Sequence, residues 1–287
     1  YHNTYFRPNA AYLIVVGDIT ADEAYAKANA HFGKWYRGDI PFTRIMPAKF
    51  PTGNQVRFAA VEGAVQSTIN ITQPVPFPPG HPDAAAVQLM NSILGGGAFS
   101  GRLMQNLRED KAFTYGARCS LSADPVTARF IAYADVRSEV SDSALVEFMA
   151  EINRIRDEQV DSTELATAKA FLSGSFARSL ENEGTVARFA LNIERYDLPE
   201  DYYQTYLQRL DAVTVEDIQR VAKNMLKPNN LNICVVGSPD ILDNLRPFDA
   251  GDGIDQYAAF GRVRIPRMEA PAGTTVESVV ARHYDAI

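Results

Sequence analysis

The sequence predicts an α+β fold: a mixed, mainly antiparallel sheet of about six strands packed by helices on one side, followed by a C-terminal tail. Three observations carry this. Short apolar or alternating runs near 11–17, 55–62, 66–73, 115–123, 127–136 and 231–237 have the length and β-branched content of strands. The second half is dominated by helical periodicity, most clearly over Ser141 to Asp157. A hydrophobic content of 46% in 287 residues is enough for a sizeable core, and 34 Gly plus Pro (18 and 16) is an ordinary share for a globular chain.

Taken in order, Ala11-Tyr-Leu-Ile-Val-Val-Gly17 reads as a buried strand. Thr20-Ala-Asp-Glu23 is a capping box that opens a helix running to Trp35, and a Pro-punctuated loop spans Pro41 to Pro51. Two partly alternating strands follow, and Pro74, Pro76, Pro78, Pro79 and Gly80 break the second. Asp83 to Leu94 is helical, apolar at Val87, Met90, Ile93 and Leu94, and Gly95-Gly96-Gly97 ends it. Phe99 to Arg108 is a second helix, and two strands pair around Asp124-Pro125. Leu145, Phe148, Met149, Ile152 and Ile155 form one stripe on the 141–157 helix, and Asp161-Ser-Thr-Glu164 opens the next. Further helices are expected near 184–195, 200–210 and 214–226, the last from the weaker box Thr214-Val-Glu-Asp217. After the strand at 231–237, Gly, Asp, Arg and Pro dominate, giving an extended tail over 250–273 and a short helix at 275–286.

One internal echo stands out. Arg7-Pro8-Asn9 through Val16-Gly17-Asp18 aligns without gaps to Lys227-Pro228-Asn229 through Val236-Gly237-Ser238. A helix precedes the second copy, so residues 2–6 are expected to be the last turn of a helix. Similar ends on two unrelated buried strands explain the same letters.

Composition excludes several classes. Net charge is −7, with 28 Lys and Arg against 35 Asp and Glu, the opposite of a nucleic-acid binder. No apolar run is long enough to cross a membrane as a helix. Cys119 and Cys234 sit in apolar stretches and read as free buried thiols, too few for a disulfide scaffold or a Cys-type zinc cluster. The start, Tyr1-His2-Asn3-Thr4, has neither initiator methionine nor signal-peptide pattern and reads as a processed product or a piece of a longer protein. None of the four histidines, His2, His31, His81 and His283, has a partner at metal-helix spacing, and neither HExxH nor HxxEH occurs. GxSxG is absent too, and the glycine-rich Gly95 to Gly101 stretch lacks the Lys-Ser/Thr of a phosphate loop.

Two constellations remain. Gly95, Gly96 and Gly97 read either as a helix-to-helix turn or as a segment near a substrate. Arg108, on a helix, reads as an ion-pair partner of Glu109, Asp110 or a carboxylate on a neighbouring element, and Tyr115 as a half-buried strand aromatic.

A longer pattern surrounds them. It runs from Tyr5-Phe-Arg-Pro-Asn-Ala10 with Val15-Val-Gly-Asp18, through Phe32-Gly-Lys-Trp35, to Asn91-Ser-Ile-Leu-Gly-Gly-Gly97 with Ser100-Gly-Arg-Leu103. It continues in Leu107-Arg-Glu-Asp-Lys-Ala-Phe-Thr-Tyr-Gly116 and Leu210-Asp-Ala-Val-Thr-Val-Glu-Asp-Ile218, and closes at Pro228-Asn-Asn230 with Val235-Val-Gly237. Over residues 1–248 the chain resembles the pitrilysin/insulinase-like zinc metallopeptidases, which include the mitochondrial processing peptidases.

The resemblance implies a metallopeptidase-like αβ-roll domain over 1–248, the second domain of one half of a clamshell, with 249–287 as tail. It implies that zinc is bound by an HxxEH motif in another half of the same protein or in a partner subunit, with no cofactor in this chain and an inactive isolated chain. It also implies that Arg108 and Tyr115 hold the substrate carbonyl, and that Gly95, Gly96 and Gly97 match a substrate-facing loop, shorter here than in the processing peptidases. Hydrogen bonds from an arginine and a phenol suit an oxygen that becomes anionic during peptide hydrolysis. The expected function is therefore the non-zinc, substrate-clamping domain of a bipartite metalloendopeptidase acting on peptides. A non-catalytic structural or assembly domain of the same fold is the alternative. Pro271 to Tyr284 resembles an extension in some bacterial envelope members, which makes the cell envelope or periplasm the expected compartment.

Overall fold

Alternation decides which face of the sheet is buried. Over Ala128–Arg137 every even-numbered residue is buried and every odd one is not, and over Gln66–Val75 the buried positions are odd. The computed structural model describes residues 1–42, 44–97, 100–251 and 253–258. Its elements are α1 His2–Tyr5, α2 Ala21–Phe32, β1 Gln55–Ala60, β2 Gln66–Val75, α3 Ala84–Asn91, α4 Arg102–Met104, β3 Thr114–Ser122 and β4 Ala128–Arg137, then α5 Ser141–Asp157, α6 Ser162–Ser179, α7 Glu183–Tyr196, α8 Tyr206–Asp211, α9 Val215–Met225, β5 Asn232–Gly237 and β6 Asp255–Tyr257. Wider π turns extend α3 over Ser92–Gly96 and α4 over Gln105–Asp110.

The strands form one mixed sheet in the order β3-β4-β2-β5-β1-β6. The first three ladders are antiparallel, and β1 runs parallel to both β5 and β6. Helices cover one face. Phe58, Ile69, Ile71 and Phe130 meet Leu89, Met90, Leu107, Phe148 and Val221 in a single core. Burying each such side chain contributes about 1.5–3 kcal/mol. On α9 the buried set is Ile218, Val221, Ala222 and Met225, the spacing of one helical stripe. The predicted caps are in place: Thr20 with Glu23, Thr214 with Asp217, and Asp161, which accepts from the Thr163 N–H at 2.7 Å.

The α+β class and the mainly antiparallel sheet agree with expectation, and four details differ. The run 11–17 is not a strand. It pairs with no strand among the described residues and all its large apolar side chains but Ile14 lie open, Leu13 at 59% exposure. Its echo, β5, lies between β2 and β1, and those two ladders are what make that copy a strand. The sixth strand is instead β6, within the stretch expected to be tail. β2 continues beyond its expected end at Gln73, through Pro74 to Val75. It can do so because β5 reaches only Thr72, so the missing N–H of Pro74 leaves no β5 bond unmade. Only Tyr206–Asp211 of the expected 200–210 helix is α-helical. α1 does precede Pro8, as the echo predicts. Cys119 is buried, whereas Cys234 is half-buried. The expected helix at 275–286 and most of the tail lie outside the described residues.

Candidate functional site

The hairpin from α3 to β3 depends on close backbone approach. A Cβ on Gly101 would stand 2.8 Å from the Gly95 Cα, and one on Gly95 would stand 2.9 Å from the Cys119 backbone nitrogen. Gly95 and Gly97 are buried, and Gly96 alone of the three is exposed. Two of the three predicted loop glycines therefore have a packing role, and Gly96 is the one open to solvent.

α4 and its π turn are anchored on the inner side by groups that sequence reasoning did not single out. Arg102 makes a two-pronged ion pair with Glu164 of α6, both contacts at 2.7 Å. Burial disfavours the Arg102 charge, but the Glu164 hydrogen bonds outweigh it and hold its pKa above the ordinary arginine value. Asn106 donates to Glu147 and Glu151 of α5, each at 2.9 Å. The signal in the sequence is weak, because an Arg and a Glu 62 residues apart carry no local pattern.

This anchored segment carries Arg108. The chain then reverses through Ala112, which has a left-handed φ of 53°, a conformation that side-chain-bearing residues rarely adopt. The Ala112 N–H donates to the Arg108 carbonyl and the Phe113 N–H to the Leu107 carbonyl, at 3.1 and 2.8 Å. The tight exit places Tyr115, at the start of β3, beside the helix end. The Arg108 guanidinium lies over the Tyr115 ring, 4.9 Å from its centroid. Tyr115 is 89% exposed, and the Arg108 side chain is 28% exposed and 3.5 Å from Glu109. The structure thus brings two of the predicted site residues together at the surface. A register shift between Thr114 and Ala117 lies at the same point, where a bulge re-aims side chains.

Further along β3, Cys119 is buried. Burial pushes its thiol far above the ordinary cysteine value, and Sγ contacts Asn91 Oδ1 at 3.3 Å. Among the described residues no three His, Cys, Asp or Glu converge to hold a metal, so the side chains described here do not fit a zinc site. His81 accepts from the Asp83 N–H at 3.1 Å, and His31 lies in the last turn of α2.

Comparison with known proteins gives a consistent answer. The sequence matches the family described as "Peptidase M16 inactive domain" over residues 1–172. An uncharacterized zinc protease of Mycobacterium tuberculosis is 23% identical over 236 residues, covering 79% of this chain and 51% of that protein. A non-peptidase homolog of Helicobacter pylori is 21% identical over 235 residues, covering 81% and 53%. The chain spans about half the length of these curated relatives. Among solved structures, a peptidase M16 inactive domain from Pseudomonas fluorescens superposes with a TM-score of 0.70 at 25% identity, covering 78% of this chain and 52% of that one.

Proposed function

This chain belongs to the peptidase M16 inactive-domain family, and from that premise we propose that it is the zinc-free, substrate-clamping part of a bipartite metalloendopeptidase. The observation that carries the reading is the Arg108–Tyr115 pair. A guanidinium and a phenol stand together at the end of a buttressed helix, with the phenol open to solvent.

Peptide-bond hydrolysis builds negative charge on the carbonyl oxygen. Donors fixed in advance stabilise that charge without reorganising at the moment of reaction. Arg108 supplies a cation and Tyr115 an O–H donor. The Arg102–Glu164 pair and Asn106 keep the helix from yielding as the peptide docks. Gly96, the exposed part of the glycine turn, is the segment past which a peptide main chain could run closely. In this proposal the zinc belongs to the HxxEH-bearing half, in the same protein or a partner subunit, and residues 1–248 together with β6 form the clamp domain. The apolar surface of residues 1–50 is covered by that other part of the protein.

The test is Tyr115→Phe in the assembled, metal-loaded protein with a peptide substrate. Loss of one such donor should lower kcat/KM by about 10²–10³-fold. The unfolding midpoint should stay unchanged, because so exposed a hydroxyl stabilises nothing in the fold. A variant with full turnover would overturn the role. The second reading, a structural or assembly domain without catalytic part, is favoured by the Helicobacter pylori relative, named a non-peptidase homolog. It requires that the assembled protein cleave no peptide at all.

A further inference from the structure

A cavity of about 570 Å³ lies at the other end of the covered face, between α3, the end of β3, and the hairpin of α6 and α7. It is within the size range of small-ligand sites. Leu121 to Ala123 line it, the first of them six residues along β3 from Tyr115, or about 20 Å. It is therefore separate from the Arg108–Tyr115 pair.

Its wall is a stack of rings. Phe189 and Tyr203 are nearly parallel with centroids 3.7 Å apart, and Phe176 lies 5.9 Å from Phe189 and 4.5 Å from Tyr206. Such a wall takes a flat apolar group. The same cavity is lined by Arg188 and Arg209 and by no Asp or Glu. Neither arginine has a carboxylate partner among the described residues. Arg188 donates to Thr185 Oγ1 at 3.3 Å. Arg209 stacks 4.0 Å over the Tyr202 ring and donates to the Tyr202 carbonyl, yet its Nε is buried without a partner. Two guanidiniums lining a cavity that has a ring stack and no acidic side chain are a binding surface for a carboxylate attached to an aromatic group.

Two further groups indicate a peptide rather than a free aromatic acid. Gln88 accepts from the Tyr206 hydroxyl through Oε1, and Asn192 donates to the Tyr203 hydroxyl through Nδ2. That leaves the Gln88 NH2 as donor and the Asn192 carbonyl as acceptor on the cavity wall, the two kinds of partner a peptide group needs. We propose that the cavity binds the C-terminal residue of a peptide, with its free carboxylate on Arg188 and Arg209 and an aromatic side chain against Phe176 and Phe189. The site stands or falls apart from the clamp reading, since Arg108 and Tyr115 take no part in it.

The test is calorimetric titration of the 287-residue chain with three probes: N-acetyl-Gly-Gly-Ala-Phe with a free carboxylate, the same peptide as its C-terminal amide, and N-acetylphenylalanine. The free acid should bind, and amidation should weaken binding at least about tenfold. Arg188→Gln should weaken the acid peptide by a similar factor at an unchanged melting temperature, because Arg188 is exposed and makes one long hydrogen bond. Equal binding of acid and amide, no binding of the acid peptide, or an unaffected Arg188→Gln overturns the proposal. N-acetylphenylalanine binding as tightly as the peptide overturns the peptide assignment and gives the cavity to small aromatic acids.

Discussion

Asp83 shows how one carboxylate ties two elements together. It precedes α3 and receives both arms of Arg220 from α9, at 2.9 and 2.8 Å. The Arg220 hydrogen bonds hold the Asp83 carboxyl below its usual range, and the same guanidinium lowers Asp217. A group whose folded pKa is depressed stabilises the fold above its unfolded value, about pH 3.9, and loses that contribution as pH falls through the folded value. Asp83→Asn should therefore lower the melting temperature at pH 7, and the gap between it and the parent chain should close towards pH 3. Thermal melts of both proteins across that range decide it; a gap of constant size would mean the carboxylate charge contributes nothing. Arg108 and Tyr115 were of a different kind. Their adjacency depends on a left-handed Ala112 and a bulge, neither of which the intervening letters spell out. They were legible only through the resemblance of the surrounding pattern.

At the scale of elements, the junction between α9 and β5 depends on a buried amide. Gln73, 1% exposed on β2, donates to the Met225 carbonyl at 2.6 Å and accepts from the Lys227 N–H at 2.9 Å. Those are the last turn of the helix and the exit after it, where backbone groups need outside partners. Gln73→Leu keeps the volume and strands both groups, at about 1–3 kcal/mol for each. Urea unfolding should show a loss of about 2 kcal/mol or more with an unchanged m-value, and a loss under about 0.5 kcal/mol would mean that water replaces the amide. Strands and helices with a strong period were legible: β4, α5 and α9 alternate or stripe as the letters say. The 11–17 run has equally good letters, yet a strand also needs a neighbour, which is not a local property. The ring-lined cavity was illegible for a related reason. Its walls come from segments near 77–85, 172–179, 185–192 and 202–209, and no motif spans them.

Across the whole molecule, burial is unevenly spread. No described residue before Val56 is buried, although this stretch carries Tyr12, Leu13, Val15, Val16, Phe32 and Trp35, all exposed. An unpaired apolar run and a helix with no buried residue together make a sizeable apolar surface, which chains cover with another element. The echo identifies what such a cover provides. In the second copy the equivalent run lies between two strands, one parallel and one antiparallel. If the proposed other part of the protein supplies two such neighbours, the backbone amides of 11–17 change from open to hydrogen-bonded on assembly. Hydrogen exchange reads this directly. In this chain alone the 11–17 amides should exchange as fast as those of a loop, whereas β2 and β4 amides are strongly protected. In the assembled protein the 11–17 amides should slow by at least about 10²-fold, which is the protection expected of an interior strand opening only with a cost of a few kcal/mol. The core strands, already paired, should change little. Equal exchange of 11–17 in both states would place its cover elsewhere and remove residues 1–50 from the proposed junction. Slowing that depends on the concentration of the isolated chain would instead show that a second copy pairs with the 11–17 run.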